Sequence, residues 1–414
     1  MPKLRGTQSA GSAKNSRLAA HKPPNLKAPR PQPIGGANNK TRAADTDGKK
    51  SVSDQQKAVT HNFQQEMLDV FGRALAPALT SPRLNEALQA VKQALFERDF
   101  AGAFGTVDDG GNDDSKAGGA GGVTDEKTDE KTDENKAKSV SFDMDNAIPP
   151  LDAYAARWSP TRALCYASVL ASPVVQEHWK AVPRPEDGRP TGETEEKKTP
   201  LRMVAIGGGA AETVAFGTLL TSNEAGHDRN GDLVLVDSGP WASVVGRLRT
   251  SMVEPSVGGR KPALVAPTER FGVDIRQRDI LKMDDEDMGK LIGGGDATGG
   301  ATTLVSLFFT LNELFTAGGL GAAATFLLRL TAASPSGTVL LVVDSPGSYA
   351  EMAVGAQARK YPMRWLLDKF LLQDAEAWNK VHEDEAVWFR LSPSLSYPIR
   401  LEDMRYQMHL YVRK

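Results

Sequence analysis

LRMVAIGGGAAETVAFGTLL, residues 201–220, passes from a six-residue apolar run through three consecutive glycines into residues with helical spacing. The apolar run reads as a strand and the segment after the glycines as a helix. Glycine tolerates conformations closed to other residues and lets backbone approach a ligand, while the helix that follows offers free N–H groups. Gly207, Gly208 and Gly209 therefore form either an ordinary strand-to-helix turn or a cofactor cradle, and this stretch alone leaves both readings open.

The residues downstream decide the fold. LRMVAI, LVLVD, VDIRQRDI, TTLVSLFFT and TVLLVVD are five short runs after Leu201. Their continuous apolar character suits parallel strands covered on both faces. Helices are expected between and after them at 211–221, 240–252, 284–292, 312–333 and 346–356. A further helix follows in YPMRWLLDKFLL, then two strand-like runs in AVWFRL and RYQMHLYVRK, the last of them antiparallel. The reading is an α/β fold of Rossmann-like, doubly wound type: a seven-stranded, mostly parallel sheet with helices on both faces. Two extra strands after five alternating units point to a methyl-transfer sheet rather than a dehydrogenase sheet.

Upstream, the chain is uneven. Residues 1–50 carry eleven Lys or Arg against two Asp. Residues 1–58 lack the large apolar side chains needed to offset chain entropy, so a disordered basic tail is expected there. It serves electrostatic contact with nucleic acid or nuclear import, or it is a solubilising extension; composition allows all three. Residues 59–105 form a helical module, with Phe63, Met67, Val70, Phe71 and Leu75, then Leu84, Leu88, Val91, Leu95 and Phe96, at helical spacing. Ser81-Pro82 suits an N-cap and first helical residue. Residues 106–145, with the repeat DEKTDEKTDENK, read as a flexible low-complexity insertion, and 146–414 as the cofactor-binding domain.

Formal net charge is −2 over 414 residues, and Cys165 is the one cysteine, which excludes an internal disulfide framework and a cysteine-based zinc site. No metal is expected. No run reaches the roughly 18 to 20 apolar residues of a membrane span, and the amino terminus lacks a secretory apolar core. The expectation is a soluble intracellular protein, nuclear, or alternatively cytoplasmic or mitochondrial, with no membrane partner.

In an open α/β sheet the ligand sits beyond the carboxyl ends of the strands at the topological switch point, where VAIGGGAAE falls. LVLVD ends in Asp237, a carboxylate able to accept both ribose hydroxyls of a nucleoside cofactor, NAD or S-adenosylmethionine. Glu212 stands where a dinucleotide fingerprint needs its last glycine, and it would repel a pyrophosphate. Methionine's ammonium and the sulfonium are cationic, so charge favours S-adenosylmethionine. Asp279, after the third strand, is placed to meet the adenine amine or is a surface aspartate. At the end of the fourth strand Phe308 and Phe309 are candidates to stack on an extruded base, with Phe308 also counted at the cofactor, or they are core. Asn312 and Glu313 are candidates to orient or deprotonate the substrate, or Asn312 is a helix cap.

Absences narrow the chemistry. Cys165 precedes the glycine loop in a helix, so it is not placed as a pyrimidine-C5 nucleophile. FFTLNELF lacks the paired prolines of amine methylation, and ribose methylation by a Lys-Asp-Lys-Glu set would need an acid where Phe309 stands. A ring nitrogen, a protein side chain and a small molecule remain as acceptors.

ERDFAGAFG, AYAARWSPTRALCYA, VAIGGGAAE, LVLVDSGPW, LFFTLNELF and LVVDSPGSYAEM together resemble the more divergent fungal large-subunit rRNA (uridine-N3)-methyltransferases. The resemblance runs from about residue 60 to the end, outside the tail and insertion. It implies a class I fold, S-adenosylmethionine as cofactor, ribosomal RNA or a pre-ribosomal particle as partner, and the nucleolus as location. It makes Glu313 the candidate base and Asn312 the orienting group. The chain departs from the usual loop at Ala205, where an acid often precedes the glycines, and at Ala211, where a third spaced glycine often stands; Glu212 or Arg162 then serves the methionine end. Arg157 and Arg162, about one and a half helical turns apart, are candidates to hold the cofactor carboxylate or an RNA phosphate. The competing readings are a methyltransferase acting on protein or a small molecule, and a non-catalytic ribosome-assembly factor with a degenerate domain.

Overall fold

The computed structural model describes residues 62–97, 99, 104, 147–179, 200–221, 230–255, 263–265, 268–293, 302–347, 349–354 and 357–414. The expected tail at 1–58 and insertion at 106–145 lie outside them.

All five apolar runs form strands: β1 (Leu201–Ile206), β2 (Gly231–Asp237), β3 (Phe271–Gln277), β4 (Thr303–Phe308) and β5 (Val339–Asp344). Every residue of β4 and β5 is buried, which is the condition that makes a strand apolar on both sides. Two more strands, β8 (Trp378–Phe389) and β9 (Met404–Arg413), complete a sheet of order β3-β2-β1-β4-β5-β9-β8. β1 to β5 are parallel, β9 runs antiparallel to β5, and β8 antiparallel to β9. β1 has β2 on one side and β4 on the other, so the strand order reverses at β1 and a crevice opens beyond its carboxyl end.

Alternation along the strands feeds two cores. Met203, Ala205, Leu233, Leu235, Leu341, Val343 and Leu410 belong to one, and Val204, Ile206, Val234, Val236, Leu340, Val342 and Tyr411 to the other. The first core takes in the amino-terminal helices: 62–74 (α1), α2 (Ala76–Leu79), α4 (Pro150–Arg157), α5 (Ser159–Leu170) and α6 (Pro173–His178), with α7 (Ala210–Thr218) and α8 (Ala242–Val253). The more exposed α3 (Leu84–Glu97) buries Val91. Met67, Val70, Phe71 and Leu75 of the 59–105 segment share this core with the sheet, and the Arg73 guanidinium donates to Ser251 O at 2.6 Å. The second core is covered by α9 (Asp285–Ile292), α10 (Leu311–Ala317), α11 (Gly319–Ala333) and α12 (Met363–Leu371).

Three local expectations are corrected. The helix expected at 346–356 is a hairpin, β6 (Tyr349–Val354) pairing antiparallel with β7 (Gln357–Pro362) from Tyr349↔Pro362 to Val354↔Gln357; a cross-strand ladder overrides the helical preference of Ala, Glu and Met. The single helix at 312–333 is two, separated at Gly318 and restarting at Gly319 with φ +72°. Ser81 caps a turn, its Oγ accepting Arg83 N–H at 3.2 Å, and the helix begins at Leu84 rather than Pro82. Ser159-Pro160 does open α5 as expected. β8 is longer than AVWFRL: its first half is charged, as edge strands tend to be, and its pairing with β9 shifts register between Lys380 and His382 and again between Asp384 and Val387.

Candidate active site

The glycine loop leaves β1 with Gly207 at φ +69°, where a Cβ would also collide with the Thr310 side chain after β4. Its N–H donates to Val236 O at 2.8 Å, tying the loop to β2. Gly209 is the N-cap of α7, and a Cβ there would come within 2.7 Å of the Trp241 indole. The loop is thus closed in by Thr310 and Trp241, and any side chain at these two positions would fill the cradle.

Glu212 is 5% exposed and its Oε2 accepts Gly209 N–H at 2.8 Å, joining helix start to glycine loop as a capping interaction. Burial pushes its carboxyl up to about 7, against the pull of that N–H, its own N–H and Arg162. Asp237 ends β2; its Oδ1 accepts Gly239 N–H at 2.7 Å, and the Trp241 side chain also donates to it. Burial raises Asp237 to about 6, with the two donors opposing. Asp279 lies two residues past β3, whose last residue, Gln277, pairs with Asp237. Its carboxylate accepts Leu281 N–H at 3.0 Å and lies 3.8 Å from Lys282 Nζ.

Beyond β4 the two phenylalanines separate. Phe308 is 4% exposed and packs in the first core, its ring centroid 4.5 Å from that of Tyr166, so its ring belongs to the core. Phe309 is the one non-glycine residue with positive φ, +56°, among the described residues. Its N–H donates to Val343 O at 2.7 Å and its ring lies 5.6 Å from the Arg162 guanidinium. A bulky side chain in the left-handed region costs of the order of 1–2 kcal/mol; the neighbouring contacts hold it there.

Asn312 and Glu313 occupy the first turn of α10. Asn312 N–H donates to Asp344 Oδ2 at 3.1 Å, where β5 ends. The Glu313 side chain reaches solvent at the rim of the crevice, yet the surrounding protein displaces enough water to raise its carboxyl to about 7. Arg162 opposes that rise, and Asp237 and Asp344 add to it.

Arg162 is the hub. It donates to the Tyr154 hydroxyl, lies 5.6 Å from both the Tyr154 and the Phe309 rings, and acts electrostatically on Glu212 and Glu313. Arg157 goes elsewhere: the helix breaks at Trp158, and Arg157 pairs with Glu402 at 2.7 Å in the loop before β9. The fold therefore gathers Gly207–Gly209, Glu212, Asp237, Glu313, Phe309 and Arg162 around one crevice. It keeps Phe308 in the core and turns Arg157 away. Tyr154, Tyr166, Trp241 and Thr310 also line this region; two of them stood in AYAARWSPTRALCYA and one in LVLVDSGPW, but local spacing gave no sign that they would meet.

Chemically, the crevice offers a carboxylate for a vicinal diol, a buried acid facing a helix start, and side-chain-free backbone for close approach. Those residues fit a nucleoside joined to a cationic amino acid better than a pyrophosphate. A family model described as "Putative SAM-dependent methyltransferase" matches residues 136–412. The chain belongs to this family. S-adenosylmethionine is accordingly its cofactor, and the sheet order with its antiparallel β9 is that of the methyltransferase rather than the dehydrogenase.

This methyltransferase is 29% identical over 380 residues to the 25S rRNA (uridine(2843)-N(3))-methyltransferase of Saccharomyces cerevisiae (strain ATCC 204508 / S288c), a match covering 84% of this chain and 85% of the relative. Among solved structures, the 16S rRNA (adenine(1408)-N(1))-methyltransferase from Catenulisporales acidiphilia is 16% identical, with TM-score 0.29, over 51% of this chain and 87% of that chain. N-methyltransferase NodS from Bradyrhizobium japonicum WM9, in complex with S-adenosyl-L-homocysteine, is 14% identical, with TM-score 0.25, over 51% and 77%. Among the described residues no helix is long and apolar enough to cross a membrane, and no group of three or more His, Cys, Asp or Glu could hold a metal.

Proposed function

We propose that this methyltransferase methylates N3 of a uridine in large-subunit ribosomal RNA, acting on a pre-ribosomal particle in the nucleolus. The observation that carries the reading is similarity along most of both chains to the yeast uridine-N3 enzyme. Bound S-adenosylmethionine would supply an electrophilic methyl group, its S–CH3 bond breaking to leave a neutral thioether. Asp237 holds the ribose hydroxyls, Asp279 the adenine amine, and the N–H of Gly208 with Glu212 the methionine end.

The N3 proton of a neutral uracil must leave before or during transfer, because the imide nitrogen is a poor nucleophile. Glu313, with its pKa near 7 and its side chain open to solvent, accepts that proton as the N3–CH3 bond forms. The base must be swung out of its stack to reach the crevice. Phe309 supplies the face it rests on, and Asn312 orients it. Arg162, fixed by Tyr154, offsets the negative charge that develops on the uracil oxygens as the proton leaves.

The test is mass spectrometry of rRNA nucleosides from cells with and without the gene. The expected result is loss of one N3-methyluridine from large-subunit rRNA; an unchanged count sinks the reading.

A further inference from the structure

The β8–β9 ribbon outlasts the sheet it edges. β5 ends at Asp344, which pairs with Gln407, while β9 extends three residues further to Met404, and β8 accompanies it through Trp388↔Arg405 and Phe389↔Met404. Because β9 is antiparallel to β5, this overhang stands at the carboxyl edge of the parallel strands, the edge that carries the glycine loop, Asp237 and Glu313. Gln407 Nε2 donates to Ser345 O at 3.0 Å, tying the base of the overhang to the end of β5. Phe389, Met404 and Tyr406 pack against the first core. By alternation Trp388 and Arg405 face the opposite side, the one that α10 covers.

On that side Trp388 is 51% exposed. The Arg390 guanidinium stacks 4.1 Å from the indole centroid, and Arg405 lies 5.6 Å from it. Arg390 is held in place by Asp403, whose Oδ2 accepts the guanidinium at 2.7 Å while its Oδ1 accepts Leu391 N–H at 3.0 Å. Arg405 is exposed and has no ion pair among the described residues. An exposed indole, with a clamped guanidinium against it and a second, more distant guanidinium that has no ion pair among the described residues, offers ring surface to a base and a fork to a phosphate. It stands three strand spacings, about 15 Å, from the end of β4, within reach of nucleotides flanking a base in the crevice.

We infer that Trp388, Arg390 and Arg405 form a docking platform for single-stranded RNA next to the target nucleotide, Trp388 stacking on a base and Arg405 binding its phosphate. The inference rests on the RNA reading above and adds a recognition surface outside the cofactor crevice. The platform's chemistry is sequence-tolerant, because every base has a π-face, so it sets affinity and register rather than the identity of the modified base.

The experiment titrates the full chain against a fluorescein-labelled single-stranded RNA of mixed sequence at several salt concentrations, following anisotropy. Trp388→Ala is expected to weaken binding about tenfold and Trp388→Phe to retain most of it. Arg405→Glu is expected to weaken binding and to lower the salt slope by about one. S-adenosylmethionine binding, followed by calorimetry on the same preparations, is expected to stay within twofold of wild type, which shows that each variant is folded. Unchanged RNA affinity in both Trp388→Ala and Arg405→Glu overturns the platform, while the rRNA nucleoside readout tests the uridine reading separately. Absence of RNA binding by the wild-type chain also overturns the platform.

Discussion

The Arg162 guanidinium lies 5.6 Å from the centroid of the Phe309 ring, joining a helix ahead of the sheet to the strained residue that follows β4. Neither residue is near the other in sequence. Arg162 also brings a cation to the carboxyls of Glu212 and Glu313.

The strain at Phe309 inverts an ordinary preference. At most positions alanine stabilises relative to glycine by about 0.5–1 kcal/mol through the unfolded chain. At φ +56° alanine keeps the backbone strain while glycine relieves it, so Phe309→Gly is expected to be more stable than Phe309→Ala by roughly 1 kcal/mol in urea unfolding. Both should bind S-adenosylmethionine nearly as wild type and methylate RNA poorly. A Phe309→Ala chain more stable than Phe309→Gly would show that the left-handed backbone is not the constraint.

Asp237→Ala should abolish measurable S-adenosylmethionine binding in calorimetry. The ribose would lose two charge-assisted hydrogen bonds of about 1.5–3 kcal/mol each, and the loop would lose the acceptor for Gly239 and Trp241. Asp237→Asn keeps an acceptor for the turn and should bind at least tenfold more weakly than wild type. Wild-type affinity in both variants contradicts the ribose assignment.

For Glu313 the informative readout is the pH–rate profile. A general base works when ionised, so the single-turnover rate should rise with pH through about 7 and then level off. Glu313→Gln is expected to lower the rate by roughly 10²–10⁴-fold, to leave cofactor affinity unchanged and to remove that acid limb. Retention of the limb in the variant assigns the proton transfer to another group.

Glu212 links stability to pH. Its folded pKa, about 7, exceeds the unfolded carboxylate value, so the native state binds the extra proton. The resulting stability is full below the unfolded value and is lost as pH rises through about 7. Glu212→Gln stays neutral throughout and retains an acceptor for Gly209 N–H. Relative to wild type it should therefore gain roughly 2–3 kcal/mol between pH 4 and pH 8 in urea unfolding without ligand. Comparing the two chains cancels Asp237, raised to about 6, and His409, which burial lowers to about 4. No difference in pH slope would place Glu212 in water rather than in the protein.

Residues 201–344 announced their fold because β1, β2, β4 and β5 are buried on both faces, and a strand buried on both faces must be apolar throughout. The placement of the glycine loop, Glu212 and Asp237 was legible for a related reason: each lies within a few residues of a strand end, where local spacing and position in the sheet coincide. β6 was misread because a two-stranded hairpin is made by pairing, which composition does not encode. The charged half of β8 was missed because an edge strand needs no apolar face.

What tertiary structure alone decided is the company these groups keep. Phe308 and Phe309 are neighbours of one residue type, yet the pleat sends the first into the core while a left-handed backbone sets the second beside Arg162. Arg157 and Arg162 share one motif, yet the break at Trp158 sends one to Glu402 and the other to the crevice. Trp388 and Arg405 stand seventeen residues apart and become a pair through the register of β8 on β9. The order of apolar runs determined the sheet, since burial is a property each segment must carry in itself. Contacts between distant segments depend on register, breaks and backbone handedness, which arise when the whole chain packs.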